Sequence, residues 1–537
     1  MQPVLNNEDI KRVEVDLTRV GVSVSELMHR AGYAAAQEVL ELAGTGRVVV
    51  LCGLGNNGGD GWVAAEALSS RGMDVTVVSP VDPGEIPGDL ARQVAQSTVR
   101  AGVPVVVGPS RDELEALLAD ADVALDCMLG TGFHGSVRPP FDIWIECVNA
   151  SPAHVVAVDV PSGLSSQTGH AASSCIVADM TVTMLALKPG LLADDGRDVC
   201  GAIVVAPLAE QTEQLVIEAD PVAWRTDLVD YLSVLPVPSA SVDKFDRGSV
   251  LVVGGSRRFP GAAIMAARAA ARMGAGYVTL AVPASVAPIA QMHLLEIPVV
   301  ALPEDSDGVM TADAAPTLRQ LAKRASAVLV GPGMRATSGT TAVVTALLGT
   351  EAPLVVDADG LNCLSRLTNN NLPELPEVTR RAAPLVLTPH RRELGRLVGY
   401  VENPPSSLVG QLDAAREIVW ADGGSNLVVV SKGSATGCVS VNQAILPKPG
   451  PSALATAGSG DVLAGMMVST LAQTRTYDLD LTLLAAYVCE VHGYAGTLAA
   501  ERVGARAVMA CDLIDVIGLA ADGVEEHVVT PEGPEVE

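Results

Sequence analysis

Ala455-Thr456-Ala457-Gly458-Ser459-Gly460-Asp461-Val462-Leu463 is a run of small residues closed by one carboxylate, and Val462, Leu463, Met466, Met467 and Leu471 then recur at helical spacing. Small side chains let backbone N–H groups converge on an anion, and a helix start adds its positive dipole end. Asp461 falls in the first turn of that helix, beside whatever anion is held there. Such a combination suits phosphoryl transfer, where positioning and charge stabilisation supply most of the catalysis.

Upstream of this stretch, short apolar runs at 249–253, 277–282, 327–330, 354–356, 385–387 and 427–430 read as buried strands. An Ala-rich helix is expected over 262–274 and another over 480–500. The loops at the carboxyl ends of these strands repeatedly carry Gly, Asp, His or Lys. The first part of the chain follows the same rhythm. Strands are expected at 47–52, 74–78, 103–107, 123–126, 155–159, 180–183 and 203–205. Helices are expected at 23–42, 62–71, 90–101, 112–118 and 141–150, with a Gly/Asn loop over 53–61. Repeated β-then-α marks a parallel sheet covered by helices on both faces, with ligands at the carboxyl ends of the strands. Pro236, Pro238, Ser239 and Ser241 interrupt the pattern between the two series. The fold class is therefore α/β with two domains. The expected division is 1–222, a linker at 223–240, 241–521, and an acidic, Pro-containing, disordered tail at 522–537.

Composition narrows the function. A length of 537 residues exceeds one ordinary core. A net charge of −27 argues against nucleic-acid or anionic-membrane partners, so a small anionic ligand needs local N–H groups, cations or metal. The nine cysteines form no CxxC pair, and several lie in apolar runs, as reduced thiols of a cytoplasmic protein would. The mixed, charged start, Met1 to Asp16, shows no signal peptide, and no apolar run reaches membrane-span length.

Gly53-Leu54-Gly55-Asn56-Asn57-Gly58-Gly59-Asp60-Gly61 contains G-x-G-x-x-G after a strand. An ordinary NAD-dehydrogenase reading fits poorly, because Asp60 would add negative charge where a pyrophosphate should lie and no acidic residue closes the next strand. Asn57, Asp126 and the Ser162 region offer hard oxygen ligands for a cation. The N–H groups of Gly130 to Ser136 could hold a phosphate. Asp126 and Asp159 each end an apolar strand, so both carboxylates are expected to emerge at one sheet edge.

Three segments together carry a resemblance over roughly residues 1 to 220: Asn56-Asn57-Gly58-Gly59-Asp60-Gly61, Asp126-Cys127-Met128-Leu129-Gly130-Thr131-Gly132, and Asp159-Val160-Pro161-Ser162-Gly163. They resemble the N-terminal epimerase domain of the NAD(P)H-hydrate repair proteins. That resemblance implies a Rossmann-like three-layer α/β/α sandwich. It implies K⁺ held by Asn57, Asp126 and Ser162, with Asp159 as the acid/base near the hydrated nicotinamide ring. The hydrated dinucleotide would be bound by Asn56, Asn57, Gly58, Gly59, Asp60, Gly130, Thr131, Gly132, Phe133, His134, Gly135, Ser136 and Asp159.

The opening stretch resembles the anion hole and catalytic Asp of ribokinase-like enzymes, and within them the ADP/ATP-dependent NAD(P)H-hydrate dehydratases. Val253-Gly254-Gly255-Ser256, Gly331-Pro332-Gly333, Asp357-Ala358-Asp359-Gly360, Thr388-Pro389-His390 and Ser431-Lys432-Gly433 extend this over roughly 240 to 520. The resemblance implies a ribokinase-like α/β/α domain with Asp461 as general base. Ala263, Gly333, His390 and Asp461 would bind the hydrate, and Lys432, Gly433, Ser434, Ala435, Thr436 and Gly460 the nucleotide. Asp357 and Asp359 either lie near Mg²⁺-nucleotide or shape their loop. One departure stands out: Arg391-Arg392 replace the family's Pro-Gly before Glu393, as solvated surface cations or as an attraction for nucleotide.

The two halves imply one bifunctional enzyme. It interconverts the R and S epimers of hydrated NADH and NADPH (NADHX, NADPHX) and dehydrates the S form, with ADP favoured over ATP by the resemblance alone. A homo-oligomer is expected on the same ground. Two alternatives are a ribokinase-like small-molecule kinase with a regulatory nucleotide-binding N-terminal domain, and a non-catalytic scaffold in place of the epimerase.

Overall fold

The computed structural model describes residues 1–234, 243–375, 378, 381–421, 426–474 and 480–529. The chain divides into two compact units, one built from 2–222 with 407–409, the other from the remainder.

After a short strand β1 (Gln2–Val4), the first unit forms a seven-stranded sheet of β2 (Arg47–Cys52), β3 (Asp74–Ser79), β4 (Val105–Val107), β5 (Val123–Cys127), β6 (His154–Val158), β7 (Met180–Met184) and β8 (Ala202–Ala206). The order is β4-β3-β2-β5-β6-β7-β8, all parallel. Val48 to Cys52 are fully buried, as a strand covered on both faces requires. The chain leaves β2 toward β3 on one side and returns to β5 on the other. A crevice therefore opens beyond β2 and β5, where ligands of open parallel sheets bind.

The Gly/Asn segment after β2 is not the expected loop. It is the start of the helix Asn56–Ser70, with Gly55 as extended N-cap. Glycine inside a helix costs about 1 kcal/mol relative to alanine, but here close packing decides. A Cβ at Gly58 would lie 2.0 Å from the Gly53 carbonyl oxygen, and one at Gly61 2.6 Å from Cys127 Cβ.

The second unit holds β9 (Ala223–Arg225), β10 (Ser249–Val253), β11 (Tyr277–Pro283), β12 (Val299–Leu302), β13 (Ala327–Val330), β14 (Leu354–Val356), β15 (Leu385–Leu387), β16 (Leu427–Ser431), β17 (Gly437–Val439) and β18 (Ala444–Leu446). Their order is β9-β18-β17-β16-β15-β14-β13-β10-β11-β12. Pairing is parallel from β12 to β16, and β17 is antiparallel to both its neighbours. The direction of winding reverses at β10, between β11 and β13. Helices Pro260–Arg272 and Ser459–Gln473 cross closely, since a Cβ at Gly465 would lie 2.2 Å from the Ala266 carbonyl oxygen. Alanine and glycine at this crossing explain how so few aromatics suffice for the core.

Two segments differ from their expected form. The stretch expected as linker begins with β9, whose Trp224 pairs with Ile445 of β18, and a 3-10 helix, Leu228–Ser233; residues 235–240 lie outside the described residues. The tail expected to be disordered from 522 continues the helix Ala510–Val529, and 530–537 lie outside the described residues. Packing overrides the acidic composition there. Val524 is buried, and Tyr487 Oη donates to Glu525 Oε1 at 2.8 Å. Among the described residues no helix is long and apolar enough to cross a membrane.

Candidate functional site

Each unit brings part of its predicted set together. In the first, Asp159 follows β6 in the left-handed conformation, φ 69°, and its N–H donates to Val182 O of β7 at 2.7 Å. Its Oδ2 accepts from Thr131 N at 3.3 Å. A Cβ at Gly130 would sit 3.4 Å from both Asp159 Oδ2 and Asn57 Cγ, so these three residues converge. Asn57 is buried, yet among the described residues its Oδ1 and Nδ2 have no hydrogen-bond partner. Buried polar atoms are normally paired, so this orphaned amide beside Gly130 is a candidate ligand position.

Asp126 corrects an expectation. It does not emerge beside Asp159 but lies fully buried inside β5. Its Oδ2 accepts from Ser162 N at 2.7 Å, and its Oδ1 from Ser162 Oγ at 2.6 Å and Met128 N at 3.1 Å. Ser162 Oγ accepts in turn from Leu129 N at 2.8 Å, so the pair staples the loops after β5 and β6. Burial pushes the Asp126 carboxyl up to about 6, against the pull of those donors. A buried carboxylate, a buried hydroxyl and an unpartnered amide oxygen are hard donors and fit a monovalent or divalent cation.

The glycines of the first motif divide. Gly58 and Gly59 are buried against Gly53 and Met28, where they let the helix approach the sheet, while Asn56, Gly132, His134, Gly135 and Ser136 are exposed. Thr131 and Phe133 are half-buried beside them. Asp60 is half-buried and, among the described residues, accepts no hydrogen bond. Burial, then the charges of Asp159 and Glu14, push its carboxyl well above the usual range. Sequence reasoning missed two neighbours. Lys188 Nζ lies 2.6 Å from Asp159 Oδ1, and Glu14 is raised by burial and by Asp159. Lys188 carried a signal: it is a lone cation after the apolar run Met184-Leu185-Ala186-Leu187. Glu14, one charge among many on the helix Asn7–Arg19, carried none.

In the second unit the small-residue stretch forms the head of Ser459–Gln473. Gly458 is left-handed, φ 92°, and a Cβ there would lie 2.6 Å from Met265 Cε, so only glycine fits. The N–H groups of Ala457, Gly458, Gly460 and Asp461 make no hydrogen bond among the described residues, which leaves four donors for an anion. Ser459 is held from behind. Its Oγ lies 3.2 Å from Nε2 of the buried His492, which burial pulls down to about 4. Burial, then Asp357, push Asp461 up to about 7, with Lys432 pulling the other way.

Lys432 joins the parts. Its Nζ donates to Asp357 Oδ1 at 2.7 Å and lies 3.4 Å from where a Cβ of Gly460 would be. Burial pulls this ammonium down, but Asp357 and Glu393 hold it above its ordinary value. Asp357 Oδ1 also accepts from Thr388 Oγ1 at 2.7 Å, and Asp359 Oδ2 accepts from Arg335 N at 2.8 Å. Both aspartates thus shape their loops. His390 sits beside Lys432 and caps the helix Arg391–Leu397: its Nδ1 accepts from Arg392 N at 3.1 Å, while Glu393 Oε2 accepts from His390 N. Burial, then Lys432, lower the imidazole, and burial raises Glu393 to about 7. The imidazole Nε2 lies 3.5 Å from Glu393 Oε1. Gly333, φ 67°, abuts Phe259 and Ala262, and its carbonyl accepts from Ser256 Oγ at 2.7 Å. Ala263 and Ala435 are buried. Gly433 is exposed and Ser434 and Thr436 half-buried. Among the described residues no group of three or more His, Cys, Asp or Glu is placed to hold a metal ion.

Comparison with known proteins agrees with this division. A family described as NAD(P)H-hydrate dehydratase matches residues 250–518, and one described as YjeF-related protein N-terminus matches 24–190. A bifunctional NAD(P)H-hydrate repair enzyme from Salinibacter ruber is 35% identical over 517 residues, 93% of this chain and 92% of that protein. Another from Moorella thermoacetica is 34% identical over 493 residues, 90% of this chain and 89% of that protein. The solved structure of an ADP/ATP-dependent NAD(P)H-hydrate dehydratase from Bacillus subtilis, co-crystallised with ATP/Mg²⁺, is 24% identical, covers 56% of this chain and 99% of its own, and has a TM-score of 0.46.

Proposed function

The chain belongs to the family of bifunctional NAD(P)H-hydrate repair enzymes, and on that premise we propose how its two crevices divide the work. The enzyme is an isomerase and a lyase. We assign epimerisation of hydrated NAD(P)H to residues 1–222 and nucleotide-dependent dehydration of the S form to the second unit, which takes in β9.

The observation that carries the dehydratase reading is Asp461, raised to about 7 beside four N–H donors unused among the described residues. A base with that affinity for protons is matched to neutral pH. In the reaction, Asp461 takes the proton of the substrate's C6 hydroxyl as its oxygen bonds to the terminal phosphorus of the nucleotide. The N–H groups of Ala457, Gly458 and Gly460 and the Lys432 ammonium stabilise the transferring phosphoryl group. With ADP as donor, AMP departs. The ring nitrogen's lone pair then expels phosphate from C6, and loss of a C5 proton leaves NADH or NADPH. His390 and Gly333 bind the dinucleotide, and the loop from Lys432 to Thr436 the nucleotide. Mg²⁺ bound with the nucleotide would neutralise charge on its phosphates.

In the first unit Asp159 acts at the hydrated ring, with the Gly130 to Ser136 loop on the phosphates. Asn57 Oδ1, Asp126 and Ser162 would hold K⁺, which supplies a fixed positive charge near the dinucleotide. The unpartnered Asn57 amide supports this reading. We further place the enzyme in the cytoplasm as a homo-oligomer. The nine free cysteines support the first, and light scattering would test the second.

The deciding experiment incubates the full chain with NADHX and ADP, and separately with ATP. Recovery of the NADH absorbance only when nucleotide is present is expected. Recovery without nucleotide, or a stable phosphorylated product with no NADH, would overturn the dehydratase reading in favour of another lyase or a simple kinase.

A further inference from the structure

Lys188 has no part in the chemistry above, yet its side chain is fully buried in the first unit. Its Nζ donates to Asp159 Oδ1 at 2.6 Å, Thr183 Oγ1 at 2.7 Å and Met184 O at 2.8 Å. An ammonium has three N–H groups and no lone pair, so all of its capacity is used. Lys188 therefore has nothing left to offer a ligand and can act only through a neighbour. A buried cation needs an ionised partner, and Asp159 is its carboxylate contact among the described residues.

The consequence falls on Asp159. Its backbone is left-handed just beyond β6, a conformation that persists only when its surroundings hold it. The holding groups come from β7: Val182 O takes its N–H, and Thr183 and Met184 anchor the lysine that grips Oδ1. Oδ2 is left facing Thr131 N and Gly130, at the start of the loop that the reading above puts on the substrate.

We propose that Lys188 is a positioning residue for epimerisation, a clamp on Asp159 Oδ1 that presents Oδ2 to the substrate. This rests on the assignment of Asp159 as the acid/base. A plain core ion pair would affect only folding, whereas a clamp affects turnover. The full-length Lys188→Met, Lys188→Arg, Thr183→Val and Asp159→Asn variants are assayed for interconversion of the NADHX epimers, resolved by chromatography. Dehydration of the S form by the same molecules serves as the folding control. Lys188→Met is expected to lower the epimerisation kcat about 100-fold, the size of a misplacement near 1 Å, with KM changed less than about threefold. Lys188→Arg should restore part of that kcat. Thr183→Val, which keeps the lysine but removes one anchor, should lower kcat several-fold at unchanged KM, and it decides the matter if Lys188→Met does not fold. Near wild-type kcat in Lys188→Met, or in Thr183→Val when the former is unfolded, overturns the proposal. An active Asp159→Asn variant overturns the underlying assignment, and the clamp with it.

Discussion

Both units set a lysine among three carboxylates at the carboxyl end of a parallel sheet, fully buried in the first and partly exposed in the second, and they use its charge differently. In the first, Lys188 grips Asp159 itself, with Glu14 and Asp60 close by. In the second, Lys432 grips Asp357, a loop-shaping residue, with Glu393 and Asp461 close by. The carboxylate assigned to catalysis thus touches the lysine in one unit and stands one step away in the other. Burial, then Asp357, outweighs the pull of Lys432 on Asp461, which rises to about 7. The same three residue types yield a clamped carboxylate in one place and a base poised for neutral pH in the other.

The largest test of this contrast is Asp461→Asn. It should lower nucleotide-dependent dehydration about 10³-fold, within the range of a lost general base, and leave epimerisation intact. Dehydration near the wild-type rate would remove the poised base from the comparison. Asp159→Ala should do the reverse, stopping epimerisation by about 10²-fold or more while a supply of pure S epimer is still dehydrated. Acidification comes next. Asp461 works ionised, so with its carboxyl at about 7 the kcat/KM for dehydration should fall toward tenfold per pH unit below that value. A profile flat down to pH 5 would show that Asp461 is not the base. Gly458→Ala forces a side chain into a left-handed position against Met265, and thermal unfolding should report a loss of about 1–3 kcal/mol in the second unit. The smallest effect belongs to Arg391 and Arg392. Replacing both with alanine should raise the nucleotide KM by less than about threefold at low salt, since exposed charges are largely screened; a larger, salt-dependent rise would show that they steer the nucleotide.

Much of both sites was legible because their parts are local in sequence. Small residues ahead of Asp461 announce converging N–H groups, and the helix with its left-handed Gly458 follows them. Asn57, Gly130 and Asp159 sit on three segments, each with its own turn chemistry, and the sheet brings them together. What was misread has a common cause. The Asn56–Gly61 segment looked like a loop because glycine disfavours helices, but Gly58 packs on the preceding turn at Gly53, and Gly59 and Gly61 pack on Met28 and Cys127, which lie far along the chain. Asp126 looked like a twin of Asp159 because each ends an apolar run. Only the return of Ser162 onto it shows that one of them is a staple.

The sequence by itself determined the α/β class, the two units, the small-residue turn ahead of Asp461 and the family, because periodicity, small-residue turns and short motifs are properties of adjacent residues. The tertiary structure decided which carboxylate meets which lysine. Lys188 lies 29 residues from Asp159, and Lys432 lies 75 from Asp357. Those pairings depend on parallel strands set side by side, and with them on how much water each carboxylate keeps. Desolvation and ion pairing act through space, and no local pattern records them.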